Sequence, residues 1–97
     1  MSRETHTPNG LHHGDMTVIG DLEHGGHRFS VAHLTHTEAP RRVQWYSNGT
    51  YASGSPAKAA AALAEWFRFL PPGPRMVLSS RTVDVALQLR RYAEGAK

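Results

Sequence analysis

At 97 residues the chain has room for one small domain, which buries only about two-thirds of the surface that its unfolded chain exposes. The absence of cysteine excludes disulfides, thiolate zinc sites and cysteine nucleophiles. Eleven Lys and Arg residues against eight Asp and Glu residues give a formal charge of +3, a mild excess that argues against both a strongly cationic DNA coat and an acidic DNA mimic.

The N-terminal segment, residues 1–15, is predicted to be a disordered tail. It contains Pro8, Gly10 and Gly14 and almost no apolar side chains, so little burial offsets the entropy of ordering it. It also lacks the apolar stretch of a secretion signal, and no apolar run in the chain approaches the roughly 20 residues of a membrane span. We therefore expect a cytoplasmic protein with no membrane partner and a single domain over residues 16–97.

Two antiparallel strands are predicted to follow, over residues 16–22 and 27–35. The Gly25-Gly26 pair between them favours a tight turn, because glycine takes a positive φ without steric cost. In the second strand Phe29 and Val31 alternate with polar and small residues, so we expect both on the face that closes the core.

Residues 42–53 predict a β-hairpin that defines the two faces of the sheet. Asn48-Gly49 lies between two runs of β-forming residues and favours a two-residue type I′ turn. This turn sets the register, with Tyr46 opposite Tyr51. Because side chains alternate along a strand, Trp45 is expected on the core face and the two tyrosines on the outer face.

A helix is predicted to begin at Ser55-Pro56, since serine caps free N–H groups and proline suits the first helical position. Its apolar stripe has the i, i+3, i+4, i+7 spacing of a core-facing helix and consists of Leu63, Trp66, Phe67 and Leu70. The run of prolines at 71–74 predicts the end of this helix. Phe69 lies off the stripe and is expected to be exposed.

The unalternated run Met76-Val77-Leu78 predicts a short buried strand. Ser79 or Ser80 is then expected to cap a last helix whose apolar face comprises Val83, Ala86, Leu87, Leu89 and Ala93. The predicted fold class is α+β: an antiparallel meander of three to four strands followed by helix, short strand and helix, in the order β-β-β-α-β-α, with the helices packed on the sheet.

This order of elements resembles the first part of the ribonuclease H-like fold over roughly residues 16–94, and RMVLSSRTVDVALQL is similar to that fold's fourth strand and following helix. Members hold divalent metal ions with acidic residues on the first strand, the first helix and the fourth strand. Asp21 lies near the first of these positions, but the helix has no acid before Glu65 and the predicted fourth strand ends in Ser79-Ser80-Arg81. The resemblance implies a truncated, degenerate, non-hydrolytic relative without the acidic triad, as in antitoxin-type proteins.

Seven histidines raise the possibility of a metal site, for which His24, His27 and His33 are the nearest to a set. Their spacing matches no closed set of four ligands, and scattered polar residues on a hairpin rim explain them equally. No strained elbow presents a serine nucleophile, and no glycine-rich loop has the spacing of a phosphate cradle. We predict no catalytic residue, metal or cofactor.

The remaining candidate site is the outer face of the sheet. Its predicted binding residues are Arg28, Arg42, Gln44, Tyr46 and Tyr51. Tyrosine and arginine are enriched where proteins bind proteins, and they also stack on bases and meet phosphates. The simplest alternative is a cross-strand tyrosine pair that only stabilises the hairpin.

The sequence therefore predicts a small non-catalytic binding protein, an inhibitor, antitoxin-like regulator or adaptor, that engages a protein partner or a second copy of itself through the outer face. A module that binds single-stranded or structured nucleic acid through the same face is the alternative. A divalent-metal-dependent hydrolase is the second alternative.

Overall fold

A computed structural model describes residues 15–37 and 40–95. They form four strands followed by two helices: β1 (Met16–His24), β2 (His27–Leu34), β3 (Val43–Ser47), β4 (Thr50–Gly54), α1 (Pro56–Arg68) and α2 (Pro72–Gly95). The predicted α+β class and the antiparallel meander are confirmed. The predicted N-terminal tail, apart from Asp15, and most of the predicted loop at 38–40 lie outside the described residues.

The sheet follows the order of the chain, β1-β2-β3-β4, and every neighbouring pair is antiparallel. Both tight turns are where the sequence predicts them. Gly25 and Gly26 have φ values of 59° and 84°, while Asn48 and Gly49 have values of 44° and 98°, the positive range that a type I′ turn requires. The predicted pairing of Tyr46 with Tyr51 is confirmed.

One extra residue interrupts the pairing of β1 with β2. Val18 lies opposite Ala32, but Gly20 lies opposite Val31, so Ile19 is left over as a β-bulge. Glycine inside a strand is typical of a bulge or of a close approach by another element. Here the approach is that of α2, because a Cβ atom added at Gly20 would lie 2.7 Å from Cγ1 of Val85.

Both helices pack on the same face of the sheet, α1 mainly across β3 and α2 across β1. The aromatic ring of Phe29 lies 5.6 Å from that of Trp66 in α1, and the ring of His33 lies 5.3 Å from that of Tyr92 in α2. The buried core that results comprises Leu22, Phe29, Val31, Val43, Trp45, Ala59, Leu63, Trp66, Leu70, Leu78, Val85 and Leu89. The other face of the sheet is covered by neither helix.

Helix α1 begins and packs as predicted. The hydroxyl oxygen of Ser55 accepts a hydrogen bond from the backbone N–H of Lys58 at 3.2 Å, and Pro56 is the first helical residue. Leu63 and Trp66 are buried, while Phe69, off the stripe, is 70% exposed.

The predicted short strand at Met76-Val77-Leu78 is wrong, because these residues belong to α2. The proline run that ends α1 also begins α2. The carbonyl of Pro71 accepts a hydrogen bond from the N–H of Arg75 at 3.0 Å, so the residues from Pro72 to Pro74 occupy the first turn. Helical N–H groups there have no acceptor within the helix, and proline therefore sacrifices no hydrogen bond.

The predicted start and apolar face of the last helix change with this result. Ser79 and Ser80 lie inside α2 and cap nothing; the hydroxyl of Ser79 donates to the carbonyl of Met76 one turn earlier. The buried residues follow the spacing of a longer helix and are Leu78, Thr82, Val85 and Leu89. Val83 and Leu87, predicted in the core, are exposed on the opposite side of α2.

Candidate functional site

The five predicted binding residues lie on the outer face, which is the sheet surface opposite the helices. Arg28 is on β2, Arg42 directly precedes β3, Gln44 and Tyr46 are on β3, and Tyr51 is on β4. Their neighbours along each strand, such as Phe29 and Trp45, are buried under the helices, so the alternation of side chains places these five on the uncovered side.

Tyr46 and Tyr51 form a cross-strand pair on this face, one residue pair away from the β3–β4 turn. Their ring centroids are 5.0 Å apart and the ring planes are inclined at 56°. Tyr51 is 58% exposed, whereas Tyr46 is half-buried. The pair stabilises the hairpin as cross-strand aromatic pairs do, and it also presents a rigid, exposed aromatic edge.

A depression of about 160 Å³ lies at the end of the sheet away from the tyrosines. It is lined by Arg42, by Gln44 and by Ala32, which is fully buried. The guanidinium of Arg42 donates to the hydroxyl oxygen of Ser53 at 3.1 Å, which fixes the arginine on this face. Leu34, 49% exposed, also lines it and adds an apolar surface.

Arg28 lies at the turn end of the outer face and is engaged within the protein. Its Nε atom is 3.9 Å from a carboxylate oxygen of Asp21, and its backbone N–H donates to the side-chain oxygen of Asn48 at 2.7 Å. Burial raises the pKa of Asp21, although the positive charges of Arg28 and Arg81 act to lower it and Glu23 acts to raise it further. The positive charge of Arg28 is therefore partly balanced by the nearby carboxylate of Asp21.

The charges of the outer face are balanced. Asp21 and Glu23 on β1 share this face with the two arginines, because they alternate with the buried Leu22. Two acids thus oppose two bases. The basic and aromatic surface predicted from β2, β3 and β4 is mixed in charge once β1 is included.

The sequence prediction missed a second concavity, a cleft of about 390 Å³ between the β3–β4 turn and α1. Asn48, Trp66 and Phe69 line it, together with His27 and Glu65. The side-chain oxygen of Asn48 accepts a hydrogen bond from the indole N–H of Trp66 at 3.1 Å. The exposed Phe69 is the one signal of this cleft in the sequence.

The histidines do not converge on a metal site within residues 15–37 and 40–95, where no group of three or more His, Asp or Glu side chains is placed to hold an ion. His33 is buried and has structural partners. Its Nδ1 lies 2.6 Å from the carbonyl oxygen of Leu34 and its Nε2 lies 3.4 Å from the hydroxyl of Tyr92. Within the same ranges, neither helix combines the length and apolar character needed to cross a bilayer.

Comparison of the chain with protein-family models, with curated proteins and with solved structures finds no match. The resemblance to the ribonuclease H-like fold stays a prediction. The residues quoted for it, 75–89, lie within α2. Functional inference therefore depends on the geometry of the outer face.

Proposed function

We propose that this chain is a small, non-catalytic, cytoplasmic protein-binding module that engages its partner through the outer face of the sheet, as an inhibitor, antitoxin-like regulator or adaptor does. The observation that carries the proposal is a sheet face that neither helix covers, with the Tyr46–Tyr51 pair near the β3–β4 turn and the depression beside Arg42 at the other end.

The composition of this face favours a protein over a nucleic acid. A platform for single strands needs a positively charged groove along which a backbone of phosphates runs. Here Asp21 and Glu23 offset the charges of Arg28 and Arg42. A protein surface can instead offer a carboxylate to Arg42 and apolar atoms to Tyr51 and Leu34, which are the kinds of contact found in the centre of protein interfaces.

The proposal is tested by comparing proteins retained from a lysate of the encoding organism by the wild type and by the double variant Tyr46→Ala, Tyr51→Ala. We expect at least one protein to be retained by the wild type and lost with the variant. That protein is then produced in isolation, and its affinity for the variant should be at least about tenfold weaker, because aromatic anchors in interfaces are typically worth 2 kcal/mol or more.

A matched control carries Met76→Ala and Leu87→Ala, which remove exposed apolar side chains from the far side of α2. This control should bind like the wild type, and both variants must unfold cooperatively. Equal retention by all three proteins would contradict the proposal. Tight binding of single-stranded oligonucleotides, with an affinity that falls steeply as salt rises, would replace it with the nucleic-acid alternative.

A further inference from the structure

The two edges of the sheet differ in how they are protected. Edge strands expose unpaired N–H and C=O groups, and proteins blunt them with bulges, charges or covering elements. The outer edge of β1 has the bulge at Ile19 and the carboxylates of Asp21 and Glu23. The guanidinium of Arg81, from α2, also donates to the backbone carbonyl of Asp21 at 3.2 Å. The β1 edge is thus closed to another strand.

Within the part of the chain that the structure describes, the edge formed by β4 has neither a bulge nor a charged residue of its own. Its five residues, Thr50–Gly54, include no charge and no proline, and its pairing with β3 runs without a shift in register. Among residues 15–37 and 40–95, no strand lies beyond it. Four of its five residues are exposed.

The register of the hairpin determines which backbone groups point outward from this edge. Ser47 and Thr50 flank the two-residue turn and form a hydrogen-bonded pair, so Thr50, Ala52 and Gly54 direct their N–H and C=O groups toward β3. The N–H and C=O groups of Tyr51 and Ser53 then point away from the sheet. These groups lie symmetrically on either side of Ala52.

We infer that β4 pairs with β4 of a second copy of this chain in an antiparallel arrangement, about a twofold axis at Ala52. Tyr51 of each copy then faces Ser53 of the other, and each of these two pairs exchanges two backbone hydrogen bonds. The two four-stranded sheets join into one sheet of eight strands. This inference goes beyond the proposed function, because it uses the backbone edge of the sheet and not its outer face.

The side chains of β4 favour a second copy over an unrelated strand. Ala52 meets its own counterpart in a non-hydrogen-bonded pair, in which Cα atoms approach to about 4.5 Å, and its small side chain allows that approach. In this arrangement Tyr51 lies directly opposite Ser53 of the second copy. Within that copy the guanidinium of Arg42 donates to Ser53, so it comes close enough to the Tyr51 ring for a cation–π interaction. Because β4 is uncharged, no like charges meet on the axis.

The first experiment measures mass and amide protection together. An interface formed by one pair of short strands buries less than about 1,200 Å², which is typical of a weak complex. Sedimentation is therefore measured over a concentration series up to roughly 1 mM. The mass should rise from 10.7 kDa toward twice that value. In the same series, exchange of the Tyr51 and Ser53 amides should slow with the rise in mass, while the Thr50 and Ala52 amides are protected throughout. A protein that stays monomeric, or a dimer with fast-exchanging Tyr51 and Ser53 amides, would overturn the inference.

The second experiment exchanges charges at the axis. Ala52→Glu and Ala52→Lys each place like charges about 5 Å apart in the homodimer, and either variant alone should dimerise up to about fivefold more weakly than the wild type. An equal mixture of the two should dimerise again, which loss of folding does not explain. If the mixture stays monomeric while the wild type dimerises, the pairing is wrong. Partner binding through Tyr46 and Arg42 is measured separately in these variants, so this inference and the proposed function can fail independently.

Discussion

Among single residues, Asn48 connects the sheet to the first helix. Its side-chain oxygen accepts hydrogen bonds from the backbone N–H of Arg28 at 2.7 Å and from the indole N–H of Trp66 at 3.1 Å. Its backbone also takes the positive φ that the turn requires, a conformation that asparagine adopts more readily than most residues. Asn48, which the sequence marks only as a turn residue, therefore also holds the sheet to α1 through its side chain.

The two roles of Asn48 are separated by a pair of substitutions. Asn48→Gly keeps the positive φ but removes the acceptor, so we expect a loss of roughly 1–3 kcal/mol in the free energy of unfolding, because the indole N–H of Trp66 loses its partner. Asn48→Asp keeps an acceptor oxygen and should retain most of the stability. Urea unfolding followed by tryptophan fluorescence measures both. Equal stabilities of the two variants would show that the acceptor contributes little.

At the scale of elements, the contact between β1 and α2 depends on the missing side chain of Gly20. A Cβ atom there would lie 2.7 Å from Cγ1 of Val85 and 3.1 Å from its Cβ. We expect Gly20→Ala to destabilise the protein by about 1–3 kcal/mol through overpacking. In the background of Val85→Ala the same change should cost much less. A double-mutant cycle measured by thermal or urea unfolding gives the coupling, and additive effects would argue against this close contact.

The elements show where sequence patterns are sufficient and where they fail. Alternation along β2 and β3 predicted the buried Phe29 and Trp45, and Asn48-Gly49 predicted the register, because each depends on a few adjacent residues. The prediction of where α2 begins was wrong, because the prolines that follow one helix are also tolerated in the first turn of the next. A pattern of three apolar residues at 76–78 does not distinguish a buried strand from a helix.

The candidate site was predictable to a similar extent. The five outer-face residues follow from alternation within each strand. The positions of Asp21 and Glu23 on the same face follow from the Gly25-Gly26 turn, whose register places Asp21 opposite Ser30 and Glu23 opposite Arg28. The sequence prediction missed the balance of charge because it counted only β2, β3 and β4 on this face and left out β1. The register did not predict the contact at 3.9 Å between Arg28 and Asp21, which depends on side-chain conformation.

For the molecule as a whole, the titration of Asp21 makes part of the free energy of unfolding depend on pH. Its native pKa lies above the value of 3.8 that the free side chain has, mainly because of burial. Between the two pKa values the native state binds more protons than the unfolded state, so this component falls as pH rises through that window. We expect the stability of Asp21→Asn, relative to the wild type, to increase between about pH 3 and pH 6. A pH-independent difference in urea unfolding would contradict the raised pKa.

The order of strands in the sheet also has a consequence for synthesis on the ribosome. All four strands precede both helices in the sequence and leave the ribosome first, and each strand pairs with the next along the chain. At that moment the hydrogen-bonded partners are present, but Phe29, Val31 and Trp45 have nothing to pack against, since α1 and α2 supply the other half of the core. The nascent sheet therefore exposes its hydrophobic face to solvent. We expect it to form a stable domain only after both helices have been synthesised and have packed on that face.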